Sequence, residues 1–395
     1  MDLTLSDHHR ALQDEVRAFV RTHGHKSPKL GGGRKRPDQK TRDWQKLLVD
    51  HGYVGRTIPR EYGGSGLPPD VLESAVIASE FAAAGIYAGM TNQGISMLVP
   101  TLLEVGTPEQ KKQWVEKTIR GDVIWCQGYS EPGSGSDLAS LSTKGVLEND
   151  HFVVSGQKIW TSSAHYADWM FLLCRTEPNA SKHDGISYLL LSMQTPGIEV
   201  RPLRTMTGRA EFNEVFFTDV RVPADQIVLG RGKGWYVANV TLKHERSMIG
   251  NAEKMTTRLE QLITLLKQRN LLGTTEYRDR LLKLQGEVIA WKAHNLRLLT
   301  EAAQGVDSGV KRMIIKYGGT MLGFRLASLA IDALGTDGLP FESAGEDAED
   351  DATTWNIDYL YDVGLMIGGG SNNIQKNIIS ERGLDMPREP KVART

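Results

Sequence analysis

Two segments in the middle of the chain combine glycines, hydroxyls and amides in a way that suits a phosphate-bearing ligand. The first, residues 125–137, reads WCQGYSEPGSGSD and contains two glycines in its turn. Glycine lets backbone N–H groups approach a ligand closely, and such groups cradle phosphate. The same residues also fit an ordinary strand–turn–helix corner in which Ser136 or Asp137 begins the helix. Physical reasoning on this segment alone leaves the two interpretations equally supported.

The second segment, residues 157–164, reads QKIWTSSA and pairs a large aromatic side chain with hydroxyls. Its alternative interpretation is a strand end with Trp160 in the core. More specific signatures are absent from the sequence: it has no dinucleotide-binding glycine fingerprint between a strand and a helix, no Walker motif and no H-E-x-x-H zinc motif. The two cysteines form no closely spaced pair, so no metal site is predicted.

Both segments resemble the flavin-binding signatures of the acyl-CoA dehydrogenase family, and the similarity extends over essentially the whole chain. Residues 58–64 resemble the N-terminal loop of that family, and residues 221–223 and 232–235 resemble its linker into the C-terminal helices. Residues 367–379 resemble its C-terminal flavin segment. Because these motifs occur in the family's order, the chain is identified as a member of the family.

The resemblance implies an FAD bound between a β-domain and the C-terminal helices. Ser136 is expected to contact FAD or the CoA portion of the substrate. Gly335 and Thr336 resemble a segment that reaches the adenine half from a neighbouring subunit, and Ser371 and Asn373 are expected to contact the FAD again. The residues that the resemblance places around the flavin ring are Gln127, Tyr129, Ser130, Trp160, Thr161 and Ser162.

Contacts between subunits follow from the same resemblance. The family often carries an Arg-x-x-Phe-Gly motif for the FAD pyrophosphate of the neighbouring subunit, and this sequence has none. Arg269 and Arg278 both remain candidates for that contact. The resemblance also implies a homotetramer arranged as a dimer of dimers, and electron-transfer flavoprotein as the electron acceptor.

Dehydrogenation of an acyl thioester needs a base, because its α C–H is only weakly acidic and its proton must leave on the face opposite the flavin. Many family members place a glutamate where this chain has Gly369. Others place it in a Leu-x-x-Glu-Arg pattern on the first long C-terminal helix, and residues 242–246 read LKHER. We therefore predict Glu245 as the base and Arg246 as a residue that positions the helix or the substrate. The alternative is that Glu245 is a surface acid paired with a lysine or arginine.

The leading hypothesis is FAD-dependent α,β-dehydrogenation of an acyl-CoA thioester to trans-2-enoyl-CoA, with hydride transfer to flavin N5. One alternative keeps the fold but reacts the reduced flavin with oxygen, as acyl-CoA oxidases and flavin monooxygenases of the superfamily do. Another is a non-catalytic partner subunit of a heteromeric dehydrogenase. The missing glutamate at Gly369 opens space near the acyl tail, which suits branched or bulky acyl groups.

Hydrophobic periodicity predicts the elements that must position these residues. Apolar residues recur at helical spacing in the first third, short strands rich in Val, Ile, Phe and Thr follow, and long amphipathic helices return after residue 234. A run of strands between runs of helices indicates segregated domains. We predict an α+β multidomain fold with an N-terminal helical domain at 1–121, a middle antiparallel β-barrel domain at 122–230 and a C-terminal four-helix bundle at 231–395.

Composition narrows the class of protein further. The formal net charge is −1, which lacks the basic excess typical of nucleic-acid binders. The apolar runs are too short to span a bilayer, so no membrane insertion is predicted. The N-terminus lacks the features of a secretory signal, and two cysteines in 395 residues fit a reducing compartment. These features predict a cytoplasmic enzyme.

Overall fold

A computed structural model describes residues 5–28, 35–245, 252–306, 308–338 and 351–388, without the side chains at 245 and 351–354. The chain divides into two compact units: Met1–Leu203 with Ala210–His244, and Arg204–Arg209 with Glu245–Thr395. Helices precede and follow a sheet in chain order, which confirms the predicted α+β multidomain class. The predicted domain boundaries at residues 121/122 and 230/231 stay predictions.

The first unit begins with five helices, and four of them start at a residue whose side chain accepts a backbone N–H. These caps are Ser6, Asp38, Asp70 and Thr107, the last in a reciprocal capping box with Gln110. A sixth helix follows the sheet. The bounds are α1 (Asp7–His23), α2 (Gln39–Asp50), α3 (Val71–Ala83), α4 (Val99–Val105), α5 (Pro108–Ile119) and α6 (Gly234–Glu245).

The seven strands of the first unit form one sheet in the order β1-β4-β2-β3-β7-β6, with β5 paired to β4. The sheet is antiparallel as predicted except at β4, along which β1 and one residue of β2 run parallel. The bounds are β1 (Trp125–Gly128), β2 (Lys144–Glu148), β3 (His151–Ser162), β4 (Trp169–Arg175), β5 (Ile186–Ser192), β6 (Ile198–Leu203) and β7 (Phe212–Pro223).

Strand β4 is buried on both faces, because each face packs on its own apolar cluster. Phe171 and Leu173 belong to the cluster that includes Val237 and Ala238 of α6. Met170 and Leu172 point to the opposite face, into a cluster shared with β7. This division follows from the two-residue period of a strand. The strand that pairs with β1, where the first flavin-like segment begins, is thus anchored in the middle of the unit.

The second unit is built from α7 (Ala252–Gln268), α8 (Thr275–Ala303), α9 (Val310–Leu334), α10 (Asp351–Leu365) and α11 (Asn372–Ile378). Helices α7 to α10 pack around one apolar core, to which α9 contributes Leu322, Leu326 and Leu329. This is the predicted four-helix arrangement. Among the described residues, no helix combines the length and apolarity needed to cross a membrane.

Candidate active site

The first flavin-like segment forms a corner after β1. Glu131 and Ser134 exchange backbone hydrogen bonds of 3.2 and 3.0 Å, and a short 3-10 helix, Leu138–Ser140, follows Asp137. Gly133 and Gly135 are exposed, and a Cβ added to either would meet no neighbouring atom within 4 Å. Both sequence interpretations describe part of this arrangement: it is a strand–turn–helix corner, and its glycine turn is open to a ligand.

The predicted ligand residues of this corner differ in exposure. Tyr129 is buried, Gln127 and Ser130 are half-buried, and Ser136 lies exposed beyond the glycine turn. The fully buried Trp125 anchors the start of the strand by donating its indole N–H to Thr118 Oγ1 at 2.9 Å. The half-buried side chains therefore project from a rigid base, which suits a site that must hold a ligand in one orientation.

The second flavin-like segment forms the end of β3, where the strand leaves its regular pairing. The register with β7 shifts between Lys158 and Thr161, and Trp160 adopts a left-handed φ of +60°. Trp160 is 57% exposed, so the alternative interpretation of a core tryptophan is wrong. A non-glycine residue at positive φ is strained and persists where the surroundings fix it, which often happens at ligand sites.

Thr161, the next residue, points the other way. It is fully buried, and its Oγ1 has no hydrogen-bond partner among the described residues. An unsatisfied buried hydroxyl costs about 1–3 kcal/mol, so a bound group that hydrogen-bonds it is favoured. This unused hydroxyl lies between the exposed indole of Trp160 and the half-buried Ser162 in sequence, at the end of β3.

The two segments meet in the structure. Ile159 N donates to Ser130 O at 2.9 Å, and the Lys158 ammonium donates to Tyr129 O at 3.0 Å. The same ammonium forms a 2.8 Å ion pair with Glu131 Oε1, and both side chains are buried. The structure therefore brings the predicted flavin residues of β1 and β3 to one corner of the sheet.

Glu131 and Lys158 were not predicted as site residues from the sequence. Burial alone would raise the pKa of Glu131, but the Lys158 ammonium and the donors of Ser142 and Thr143 outweigh it and hold the pKa at about 2. Burial lowers the pKa of Lys158, and Glu131 opposes that effect. The available signal was the single lysine of residues 157–164 beside the two acidic residues, Glu131 and Asp137, of residues 125–137.

The turn at Gly335 and Thr336 lies in the second unit. It is a 3-10 turn, Gly335–Gly338, that begins at a left-handed glycine with φ +56°. Arg269 pairs with Asp337 of this turn at 2.5 Å, whereas Arg278 is exposed at the start of α8. Residues 269–273 read RNLLG, which differs from the family's Arg-x-x-Phe-Gly only by Leu272. The structure thus brings Arg269 to the turn that the resemblance assigns to the adenine half.

The C-terminal flavin segment contains two left-handed glycines, Gly369 at φ +64° and Gly370 at φ +88°. Ser371 caps α11 by accepting Ile374 N at 3.3 Å, and Asn373 is exposed. Its neighbour Asn372 is buried and accepts the Lys316 ammonium at 2.9 Å. A glutamate at position 369 would need a strained backbone, so this segment does not suit the common position of the base.

The predicted base lies at the limit of the described chain. Helix α6 ends at Glu245, whose side chain lies outside the described residues, as does the whole of Arg246. Thr241, four residues earlier and therefore on the same helical face, is fully buried and accepts from Thr101 Oγ1 at 3.0 Å. The assignment of Glu245 stays a prediction.

Comparisons with known proteins identify the family. Family profiles described as the N-terminal, middle and C-terminal domains of acyl-CoA dehydrogenase match residues 6–122, 126–220 and 232–384. The chain belongs to the acyl-CoA dehydrogenase family. It is 37% identical to acyl-CoA dehydrogenase IpdE1 of Mycolicibacterium smegmatis over 365 residues, which cover 89% of this chain and 90% of that protein. Members of the family are FAD-dependent oxidoreductases, as predicted.

Solved structures of family members extend this result. The structure titled Tcur3481-Tcur3483 steroid ACAD superposes with a TM-score of 0.81 at 28% identity, covering 98% of this chain and all of that one. The ChsE4-ChsE5 complex from Mycobacterium tuberculosis gives a TM-score of 0.79 at 28% identity, with the same coverage. Each of these two structures is named as a pair of proteins.

Proposed function

We propose that this protein is an FAD-dependent acyl-CoA dehydrogenase that converts an acyl-CoA thioester to a trans-2-enoyl-CoA. The observation that carries the proposal is the corner where the two flavin-like segments meet, together with the unpartnered hydroxyl of Thr161 at the adjoining end of β3. Membership of the family over nearly the whole chain supports the same activity.

One group of residues would bind the flavin, and Glu245 would transfer the proton. Gln127, Tyr129, Ser130 and the segment 160–162 would hold the flavin ring, and the Thr161 hydroxyl would orient it. Bound FAD supplies an acceptor for the hydride that leaves the substrate's β-carbon. Glu245 would take the proton from the α-carbon, and a carboxylate does this well at neutral pH when an apolar pocket raises its pKa.

The substrate class follows from the position of the base and from one structural neighbour. Gly369 leaves no side chain at the common base position, and its left-handed backbone disfavours one. The neighbour Tcur3481-Tcur3483 is titled a steroid ACAD. We infer that branched or ring-bearing acyl groups are accepted here in preference to short straight chains, with electron-transfer flavoprotein as the electron acceptor.

Anaerobic titration of the FAD-bound protein tests the activity and the substrate together. Straight, branched and ring-bearing CoA thioesters are added, and bleaching of the flavin absorbance is recorded. We expect bleaching that is strongest with ring-bearing substrates, followed by slow reoxidation in air. Rapid peroxide formation would instead identify an oxidase. The variant Glu245→Gln should retain FAD and lose turnover by several orders of magnitude, and near-normal bleaching in it would refute the base.

Assembly is the remaining part of the proposal. The resemblance implies a homotetramer, but two structural neighbours are named as pairs of chains, which supports the alternative of a heteromeric partner subunit. Light scattering and FAD content of the purified chain distinguish the two. A tetramer with one FAD per chain supports the homotetramer, whereas a chain that binds FAD only after a second subunit is added supports the heteromer.

A further inference from the structure

The buried ion pair of Glu131 and Lys158 joins the two segments that the proposed function assigns to the flavin. Glu131 directly follows Ser130, and Lys158 stands two residues before Trp160. The pair spans 27 residues of sequence and has an N–O distance of 2.8 Å. Neither residue belongs to the set predicted to contact the cofactor.

The carboxylate of Glu131 is held on all sides. Its Oε2 accepts Ser142 N at 2.6 Å and Ser142 Oγ at 2.8 Å, and its Oε1 accepts Thr143 N at 2.9 Å beside the Lys158 ammonium. Lys158 in turn donates to the carbonyl of Tyr129 at 3.0 Å. Because the carboxylate has these fixed donors, it cannot move without losing several hydrogen bonds at once.

Strand pairing does not fix the end of β3 at this point. The β3–β7 register shifts between Lys158 and Thr161, so Ile159 and Trp160 have no partner residue in β7. The Trp160 ring contacts Phe212 of β7, but the hydrogen bonds of this stretch to the first flavin segment run from Ile159 N to Ser130 O and from Lys158 to Tyr129 and Glu131. These bonds connect the two flavin segments directly, which the β3–β7 ladder does not do.

A buried ion pair is a poor source of stability, since well-packed apolar residues of similar volume often do as well or better. In some proteins such a pair instead fixes a defined geometry. We propose that Glu131 and Lys158 are positioning residues that fix the spacing of the flavin-binding segments, and through it the affinity and electronic environment of the bound flavin. The proposal rests on the proposed function, because it requires FAD to bind at this corner.

The test compares a broken pair with an apolar replacement. The single variant Lys158→Met leaves a buried charge and is expected to lower the free energy of unfolding. The double variant Glu131→Leu with Lys158→Met removes both charges and should fold, as judged by the near-ultraviolet circular dichroism of its buried tryptophans. We expect the double variant to bind FAD at least tenfold more weakly than wild type, with shifted flavin absorption bands and a shifted flavin reduction potential.

Two further variants keep the test decisive. Lys158→Arg retains the cation and should restore most of the FAD affinity even if the double variant does not fold. Lys182→Met removes the exposed partner of Asp137 on the same corner and should leave FAD affinity and spectrum unchanged. A folded double variant with wild-type FAD affinity, spectrum and potential would overturn the positioning role alone. A folded wild-type chain that never binds FAD, alone or with a partner subunit, would overturn the proposed function as well.

Discussion

Two buried ion pairs, one in each unit, have the same length and opposite electrostatic outcomes. Glu131 and Lys158 in the sheet unit, and Asp362 and Arg258 in the helical unit, each place a nitrogen 2.8 Å from a carboxylate oxygen. The pKa of Glu131 is held at about 2, whereas burial raises the pKa of Asp362 above its usual value despite the neighbouring arginine. The N–O distance alone therefore does not decide whether a buried carboxylate stays charged.

The two carboxylates differ in the number of their donors and in a neighbouring charge, because Asp358 also raises the pKa of Asp362. Glu131 lies at a corner where the backbone N–H groups of Ser142 and Thr143 are free to point at it. Asp362 lies within α10, whose backbone N–H groups are used by the helix, and Arg258 is its hydrogen-bond donor. Within the described chain, Nε of Arg258 has no hydrogen-bond partner. A sheet corner can thus stabilise a buried anion with its own backbone, and a helix interior cannot.

Replacing the cationic residue of each pair should give the largest loss of stability. Lys158→Met leaves the buried Glu131 carboxylate without its counter-ion, and we expect a loss of about 3–5 kcal/mol in the free energy of unfolding. Arg258→Met leaves Asp362, which is already inclined to hold a proton, so we expect a loss of only about 1–3 kcal/mol. Urea unfolding of the two variants in one buffer provides the measurement. Equal losses would show that donor number does not control the outcome.

The pH dependence should separate the pairs by sign. The pKa of Glu131 is lowered from its usual 4.5 to about 2, so the unfolded chain binds more protons in that window and stability is lost as the pH falls through it. The shift corresponds to roughly 3 kcal/mol. The pKa of Asp362 is raised above its usual 3.8, so the folded chain binds the proton first and acidification adds stability.

Unfolding free energies measured between pH 6 and pH 2 check both signs. We expect Glu131→Gln to lose less stability on acidification than wild type, because it removes the carboxylate whose protonation favours the unfolded chain. Asp362→Asn should lose more stability on acidification than wild type, because it removes the carboxylate whose protonation stabilises the folded chain. If both variants change the loss of stability between pH 6 and pH 2 in the same direction, the two carboxylates do not have pKa shifts of opposite sign.

The helices and the signature segments could be predicted from the sequence, whereas the ion pairs could not. Helical periodicity predicted long amphipathic helices after residue 234, and the structure has α7, α8 and α9 there. An apolar stripe that repeats over several turns is a strong local signal. The signature segments likewise located Trp160 and Thr161, although their roles toward FAD stay predictions.

The contacts between those segments had no such signal. Whether Glu131 meets Lys158 depends on the strand order and on the register shift at the end of β3, and neither is visible in local periodicity. The parallel pairing of β1 with β4 was missed for the same reason. At the C-terminal segment, Asn373 was predicted and the neighbouring Asn372 is the buried one, because one residue changes the face of a short helix.

The smallest expected effect concerns a third pair, on the same corner as Glu131. Asp137 and Lys182 are 2.7 Å apart, closer than either buried pair, yet 60% and 45% of their side chains are exposed. Water screens such a pair, and ordering two side chains offsets its attraction, so Lys182→Ala should cost no more than about 0.2–1 kcal/mol. The loss should shrink further in 1 M salt, where the screening length falls to about 3 Å. Urea unfolding at low and high salt is the measurement, and Lys158→Met in the same two buffers is the matched comparison. A salt-independent loss as large as that of Lys158→Met would mean that this corner, and not the burial of its charges, determines how much an ion pair contributes.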